Sequence, residues 1–384
     1  MFLVIYERLI LLPNNIVKEF GLSESNFIED IIDGMQDWVR VIGKDGTVLF
    51  VNKPMRDGLG YNAVGRKCFE VLGRSSPCPN CISSLQGENL PNRKEETING
   101  RVYSVTSSPL KSFKLNNVEA VIEVLHDITE LKVLSKELEK QNEQLKEDLS
   151  IAKKLQCSLL PKQQTVGDKI SFSYIYKPCE MIGGDFLDIF EIDEDHVGIY
   201  IADVSGHGVA ASMLTMFLRA AIDKSSLSPS NVLTQLYKEF NKNSFEDELY
   251  ISVFYGIINI SDYSISYSNA GLNVSPILFS GNDYKLLRTR GIPISNWVDN
   301  PEYTEVTQNL KANDRLLFYT DGIIEIKNKS NEQFGEDRIV EHFLRKNLKP
   351  SSIISKLVDK ALSFSGSSMH EIVDDITVAL LEMK

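Results

Sequence analysis

Ile182-Gly183-Gly184-Asp185-Phe186-Leu187-Asp188 is the stretch from which the fold of this chain is read. Two glycines lead to an aspartate, and an apolar run over 186–192 starts directly after it. Three other stretches share this layout: Ala202-Asp203-Val204-Ser205-Gly206-His207-Gly208, Tyr319-Thr320-Asp321-Gly322 and Val373-Asp374-Asp375-Ile376-Thr377. Asp203 closes the run 196–202, Asp321 closes 316–320, and Asp374 opens 376–381. In an antiparallel sheet the start of one strand lies beside the end of its neighbour. Aspartates far apart in sequence therefore converge on one rim. Converged carboxylates repel unless a cation sits between them. Oxygen donors select a hard divalent ion, Mg²⁺ or Mn²⁺.

Around these motifs, adjacent runs are joined by short turns, Asp193-Glu194-Asp195 and Ser261-Asp262, which implies antiparallel pairing. Strand patterns fall at 170–177, 186–192, 196–202, 250–260, 263–269, 314–320 and 376–381. Helical patterns fall at 209–222, 231–242, 336–346 and 351–363. Helices segregated from strands fit layers covering two packed sheets.

GGDFLD, ADVSGHG, YTDGIIE and DDITV, in this order, resemble the metal-dependent protein phosphatases of the PPM family. The branch most resembled is the bacterial one named after the stage II sporulation phosphatase, which regulates sigma-factor partner switching. The resemblance covers about residues 155–384 and is supported by Ser268-Asn269-Ala270-Gly271 and by Gln333-Phe334-Gly335-Glu336-Asp337-Arg338. GGDF alone suggests a diguanylate cyclase, but Phe186 stands where such enzymes carry an acidic residue. The resemblance implies an αββα sandwich holding two Mn²⁺ or Mg²⁺ ions. Asp203 would bridge both ions, the Val204 carbonyl would add a backbone ligand, Asp185 would serve one ion, and Asp321 and Asp374 the other. Adjacent strand residues face opposite ways, so Asp375 is the alternative to Asp374. Asp188 is read as a supporting residue. In the wider family a histidine directly follows the metal-binding pair; Ser205 stands there and His207 comes two residues later, so His207 is read as a loop-stabilising residue before a general acid. The family often has histidine after Asn-Ala-Gly, where this chain has Leu272. Because water is the nucleophile in such enzymes, Cys157 and Cys179 are free to be structural. The implied substrate is a phosphorylated anti-sigma-factor antagonist of the STAS type.

The 384 residues suggest two or three domains. A hydrophobic content of 42% with 24% charged residues is that of a soluble globular chain. A net charge of −12 disfavours nucleic acid and anionic membrane as general partners. The apolar N-terminal run is broken by Glu7 and Arg8 and is too short to span a bilayer. Five cysteines in a chain this long do not suggest a secreted disulfide framework, so a cytoplasmic protein is expected.

After a segment at 1–20, residues 21–130 carry a hairpin pattern, 37–43 and 47–52 around Lys44-Asp45-Gly46. Strand patterns follow at 97–107 and 118–126, and the segment closes on Asp127-Ile128-Thr129. This resembles the PAS sensor domains. Cys68, Cys78 and Cys81 lie within it, the last two spaced to grip one metal or close a disulfide. Zn or Fe with His126, or a residue of a second subunit, as fourth ligand is one reading; a tight loop with ordinary thiols is the other.

Residues 131–160 read as a helix with an apolar seam, Leu131, Leu134, Leu138, Asn142, Leu145, Leu149, Ala152, Gln156 and Leu159. Two successive steps of four, from Leu134 to Leu138 to Asn142, make a stutter, and Asn142 and Gln156 are polar seam positions that can fix register. A parallel dimeric coiled coil joining two domains follows. The expected protein is thus α+β: an N-terminal PAS domain at 21–130 (an antiparallel sheet with helices), a helical coiled-coil linker at 131–160, and a phosphatase domain at 161–384. The rivals are a signalling scaffold whose phosphatase-like domain only binds a partner, and a PAS-linked kinase. No Gly-rich nucleotide loop or phosphoacceptor-histidine motif supports the kinase.

Overall fold

The computed structural model describes residues 24–78, 81, 92–110, 120–162, 165–166, 169–243, 245–344, 349–366 and 374–384. The N-terminal segment expected at 1–20 lies outside these residues. The chain divides into two compact units, residues 1–143 and 144–384.

Among the described residues the first unit has one antiparallel sheet, with three short helices before its third strand. Helix α1 (Glu24–Asp33) precedes β1 (Trp38–Gly43) and β2 (Val48–Val51); α2 (Lys53–Leu59) and α3 (Cys68–Val71) lead to β3 (Asn92–Ile98), β4 (Arg101–Pro109) and β5 (Ala120–Asp127). The strand order is β2-β1-β5-β4-β3. Asn52 ends the first hairpin and is fully buried, because its side chain does two jobs. Its Oδ1 accepts from the Val39 and Met55 amides, capping α2, and its Nδ2 donates to the carbonyls of Ile32 and Asp37. The run expected as a single strand at 97–107 is two strands. Asn99 (φ 50°) and Gly100 (φ 79°) both adopt the left-handed conformation and turn the chain back tightly between Ile98 and Arg101.

Helix α4 (Thr129–Leu159) is continuous. Leu131, Leu134, Leu138 and Leu145 are exposed along it. Gln156 departs from the expected seam role: it is 1% exposed, turned into the second unit of its own chain.

The second unit holds two antiparallel sheets. The first has the order β14-β11-β10-β9-β8 and the second β13-β12-β15-β16-β7-β6. The strands are β6 (Thr165–Val166), β7 (Ile170–Lys177), β8 (Asp185–Glu191), β9 (His196–Val204), β10 (Ile251–Asn259), β11 (Ser264–Ala270), β12 (Ile277–Ser280), β13 (Asp283–Leu286), β14 (Val306–Asn309), β15 (Arg315–Tyr319) and β16 (Ile376–Met383). Helices α5 (Gly208–Ala221) and α6 (Pro229–Lys242) cover the first sheet, and α9 (Pro350–Ser365) lies on β7 and β16 of the second. Between them come the short α7 (Asp321–Ile324) and α8 (Gly335–Leu344). Near-continuous burial along β9, β10, β15 and β16 makes one shared core, with Phe254 of the first sheet against Phe318 of the second. This is the expected layered α+β arrangement.

Candidate metal centre

One rim of the second unit gathers the strand-end aspartates. Asp185 opens β8 and Asp203 lies next to the end of β9, and the two are cross-strand partners. From the other sheet come Asp321, directly after β15 and Thr320, and Asp374, two residues before β16. Asp185 is 2% exposed. Burial, then the charges of Asp203 and Asp375, hold its carboxyl well above the ordinary carboxylate range. Asp203 is pushed up to about 8 by burial and by Asp321, Asp374 and Asp375. Asp374 is raised by burial, with Asp321 and Asp375 adding repulsion. Among the described residues none of these carboxylates takes an ion pair.

The choice between Asp374 and Asp375 is sharpened by what Asp375 does. It is 4% exposed, and its carboxylate accepts from three backbone amides, Cys179 (2.7 Å), Gly184 (2.6 Å) and Asp185 (3.2 Å). It therefore fastens the Gly-Gly turn to the start of β16. A Cβ at Gly183 would run into the Asp375 carboxylate and the Tyr176 hydroxyl, so this approach requires glycine. At Gly184 a Cβ would press on the carbonyls of Val204 (3.1 Å) and Gly206 (3.2 Å), which brings Val204 beside the turn.

Several other side chains matter here and were not singled out from sequence. Thr320 and Thr377, both fully buried, donate to Oδ2 of Asp185 at 2.6 Å each. Asn273 donates to Oδ2 of Asp321 at 2.6 Å. Gln156 of α4 bonds the Gly183 carbonyl (2.7 Å) and amide (3.2 Å), Thr215 of α5, and the Tyr176 hydroxyl. Asp188 is clear of the rim, buried and salt-bridged to Arg219 and Lys224, which ties β8 to the end of α5. His207 is exposed and pairs with Glu180 at 2.9 Å, in keeping with a loop role. Cys179 lies beside Asp375, and its thiol is pushed up to about 12 by burial and that charge.

Among the described residues no group of three or more Cys, His, Asp or Glu side chains comes together so as to hold one metal ion. Mg²⁺ does not need such a group, since it keeps several waters and takes only one or two carboxylates per ion. The donor set is hard throughout, carboxylates and carbonyls. Burial first, and then neighbouring carboxylates, raise the carboxyls of Asp185, Asp203 and Asp374, as expected of a rim short of positive charge. The residues fit the implied ions.

In the first unit, Cys78 accepts from Arg74 (2.7 Å) and Lys94 (3.7 Å). Burial raises the Cys68 thiol, with Cys81 and Cys78 among the charges it feels. His126 is exposed and bonded to Asp37, so it does not join the thiols. None of the five cysteines is in a disulfide.

The family model for stage II sporulation protein E matches residues 193–384, half of the chain. The chain belongs to the stage II sporulation protein E family. A PAS domain model matches residues 26–92, so the first unit is a PAS domain. The chain is 29% identical over 250 residues to phosphoserine phosphatase RsbP of Bacillus subtilis, covering 62% of this chain and 58% of that protein. It is 23% identical over 249 residues to phosphoserine phosphatase RsbU of the same organism, covering 63% and 72%. The match thus spans little more than half of RsbP. The solved SiaA-PP2C domain of Pseudomonas aeruginosa shares the fold, with a TM-score of 0.56 at 21% identity over 64% of this chain and 99% of that one. No described helix is long and apolar enough to cross a membrane.

Proposed function

We propose that this chain is a PAS-regulated, metal-dependent phosphoserine/phosphothreonine protein phosphatase. The observation that carries the reading is the rim itself: Asp185 and Asp203 are cross-strand partners, Asp321 and Asp374 press their charge on Asp203, and burial with this crowding raises the carboxyls of Asp185, Asp203 and Asp374. That arrangement is unfavourable unless two divalent cations, Mn²⁺ or Mg²⁺, are held there. Asp203, which feels Asp321 and Asp374 and is the cross-strand partner of Asp185, would be the carboxylate shared by both ions, and the Val204 carbonyl would supply a backbone oxygen. Asp374 is preferred to Asp375, whose oxygens are occupied by backbone amides. Bound there, such ions supply an activated water for attack on phosphorus and offset the charge growing on the phosphoryl oxygens. The chain's own part is to hold the carboxylates in place: Asp375 fixes the turn before Asp185, Thr320 and Thr377 orient its carboxylate, and Asn273 orients that of Asp321.

Likeness to RsbP and RsbU supports a phosphorylated STAS-type anti-sigma-factor antagonist as the substrate. The exposed leucines of α4 support a homodimer formed through the PAS domain and a coiled coil. Cysteines outside any disulfide and the absence of a spanning helix among the described residues agree with a cytoplasmic protein. Zn or Fe at Cys68, Cys78 and Cys81 is a separate part of the reading, which rests on the Cys78–Cys81 spacing alone.

The test is phosphate release from a phosphoserine peptide with added Mn²⁺. Asp203→Ala should leave less than about a tenth of wild-type kcat, a barrier rise above roughly 1.4 kcal/mol. Full retention of turnover would remove Asp203 from the centre. A wild-type chain that binds Mn²⁺ but turns over no phosphopeptide would favour the binding scaffold.

A further inference from the structure

Asp185 belongs to one sheet, and the two hydroxyls that hold it belong to the other. Thr320 follows β15 and Thr377 is the second residue of β16. They are locked to each other: the Thr320 amide donates to the Thr377 carbonyl (3.0 Å), and the Thr377 amide donates to Thr320 Oγ1 (3.1 Å). A hydroxyl has a single proton to give. Both threonines give theirs to the same oxygen, Oδ2 of Asp185. A carboxylate oxygen has two in-plane lone pairs, so Oδ2 is saturated and a cation is left with Oδ1 alone.

We infer that Thr320 and Thr377 are positioning residues that force Asp185 to bind its ion through one oxygen, and so select small octahedral cations against Ca²⁺. The inference rests on the metal-centre reading above. Mg²⁺ demands near-ideal octahedral geometry, which a one-oxygen carboxylate suits. Ca²⁺ takes six to eight oxygens and readily uses both oxygens of a carboxylate. Using Oδ2 here would break two short bonds from fully buried hydroxyls, of which Thr320 alone has a second acceptor, the Asp375 carbonyl at 3.5 Å. The same clamp joins the two sheets at the rim, so the ligand is oriented by residues of the opposite sheet.

The experiment compares Mn²⁺ and Ca²⁺ binding to the full-length chain by calorimetry, with Mn²⁺ checked by electron paramagnetic resonance. The variants are Thr377→Ser, Thr377→Ala, Thr320→Ser and Thr320→Ala. Within each pair only the hydroxyl differs, so a folding defect from the lost methyl appears in both members; Thr→Val, which keeps the shape, covers an alanine variant that fails to fold. Removing an outer-shell partner weakens metal binding by about 10–100-fold. The expected result is a Mn²⁺ affinity lowered by at least about tenfold in the Ala and Val forms, with Ca²⁺ unchanged or tightened. The Ser forms should keep the wild-type Mn²⁺/Ca²⁺ ratio within about twofold, because they keep the donor. Wild-type binding of Mn²⁺ with the same ratio in the Ala and Val forms would overturn the clamp alone. A wild-type chain that binds no Mn²⁺ would overturn the metal-centre reading and the clamp with it.

Discussion

Replacing Asp203 by Asn should inactivate the protein and, without metal, stabilise it. Asp203 is pushed from 3.8 to about 8 by burial and by Asp321, Asp374 and Asp375. At about 1.4 kcal/mol per pH unit, the cost of ionising it in the folded state is bounded near 6 kcal/mol. Rim water and relaxation of its neighbours screen much of this, leaving an expected gain of about 1–3 kcal/mol at pH 8. For a unit of this size that is roughly 3–10 °C in Tm. The sign follows from proton linkage. Below pH 3.8 both states carry the proton and there is no penalty. As pH rises toward about 8 the unfolded chain ionises while folded Asp203 resists, so wild-type stability falls across this window. Thermal unfolding in EDTA at pH 5 and pH 8 should therefore show a larger gain for Asp203→Asn at pH 8. Saturating Mn²⁺ should reverse the order, because only the wild type keeps a full site to be stabilised by binding. A destabilised variant at pH 8, or a gain equal at both pH values, would refute the idea of a repulsive, cation-requiring rim.

Other expectations follow from the same contacts. Asp375→Ala removes a charged acceptor from three backbone amides, and urea unfolding should show a loss of about 3–5 kcal/mol; a loss below 1 kcal/mol would mean the Gly-Gly turn holds itself. Cys157 is exposed while the Cys179 thiol is pushed up to about 12, so iodoacetamide at pH 8 should label Cys157 first, with Cys179 gaining reactivity only well above pH 9. Elemental analysis of the full-length protein should find Zn or Fe that a Cys68→Ser, Cys78→Ser, Cys81→Ser triple variant lacks; metal-free, equally stable wild-type protein would remove that part of the reading.

The convergence of Asp185, Asp203, Asp321 and Asp374 was legible because each sits at the edge of an apolar run and the four motifs keep their order. The residues that orient them were not. Thr320 and Thr377 lie in plain sight within YTDG and DDIT, but their shared target belongs to the opposite sheet, a relation that no local spacing encodes. Gln156 fits the stalk's periodicity as well as its true environment, since a step of three or four says which face a residue is on and not which partner covers it. Asn99-Gly100 is a turn signal that the surrounding strand-forming residues concealed. The short β12, β13 and β14 are four residues each, and two of them are largely exposed, so their patterns are weak.

The most direct test of the central claim is phosphate release from a serine-phosphorylated STAS-type protein by the full-length chain, with Mn²⁺, with EDTA, and with Mn²⁺ restored. Release should require the metal, cease in EDTA, and return on its restoration. Asp203→Asn should lower the rate by about a hundredfold or more, the loss of about 2.7 kcal/mol of transition-state stabilisation. Release that persists in EDTA and in Asp203→Asn would contradict the account.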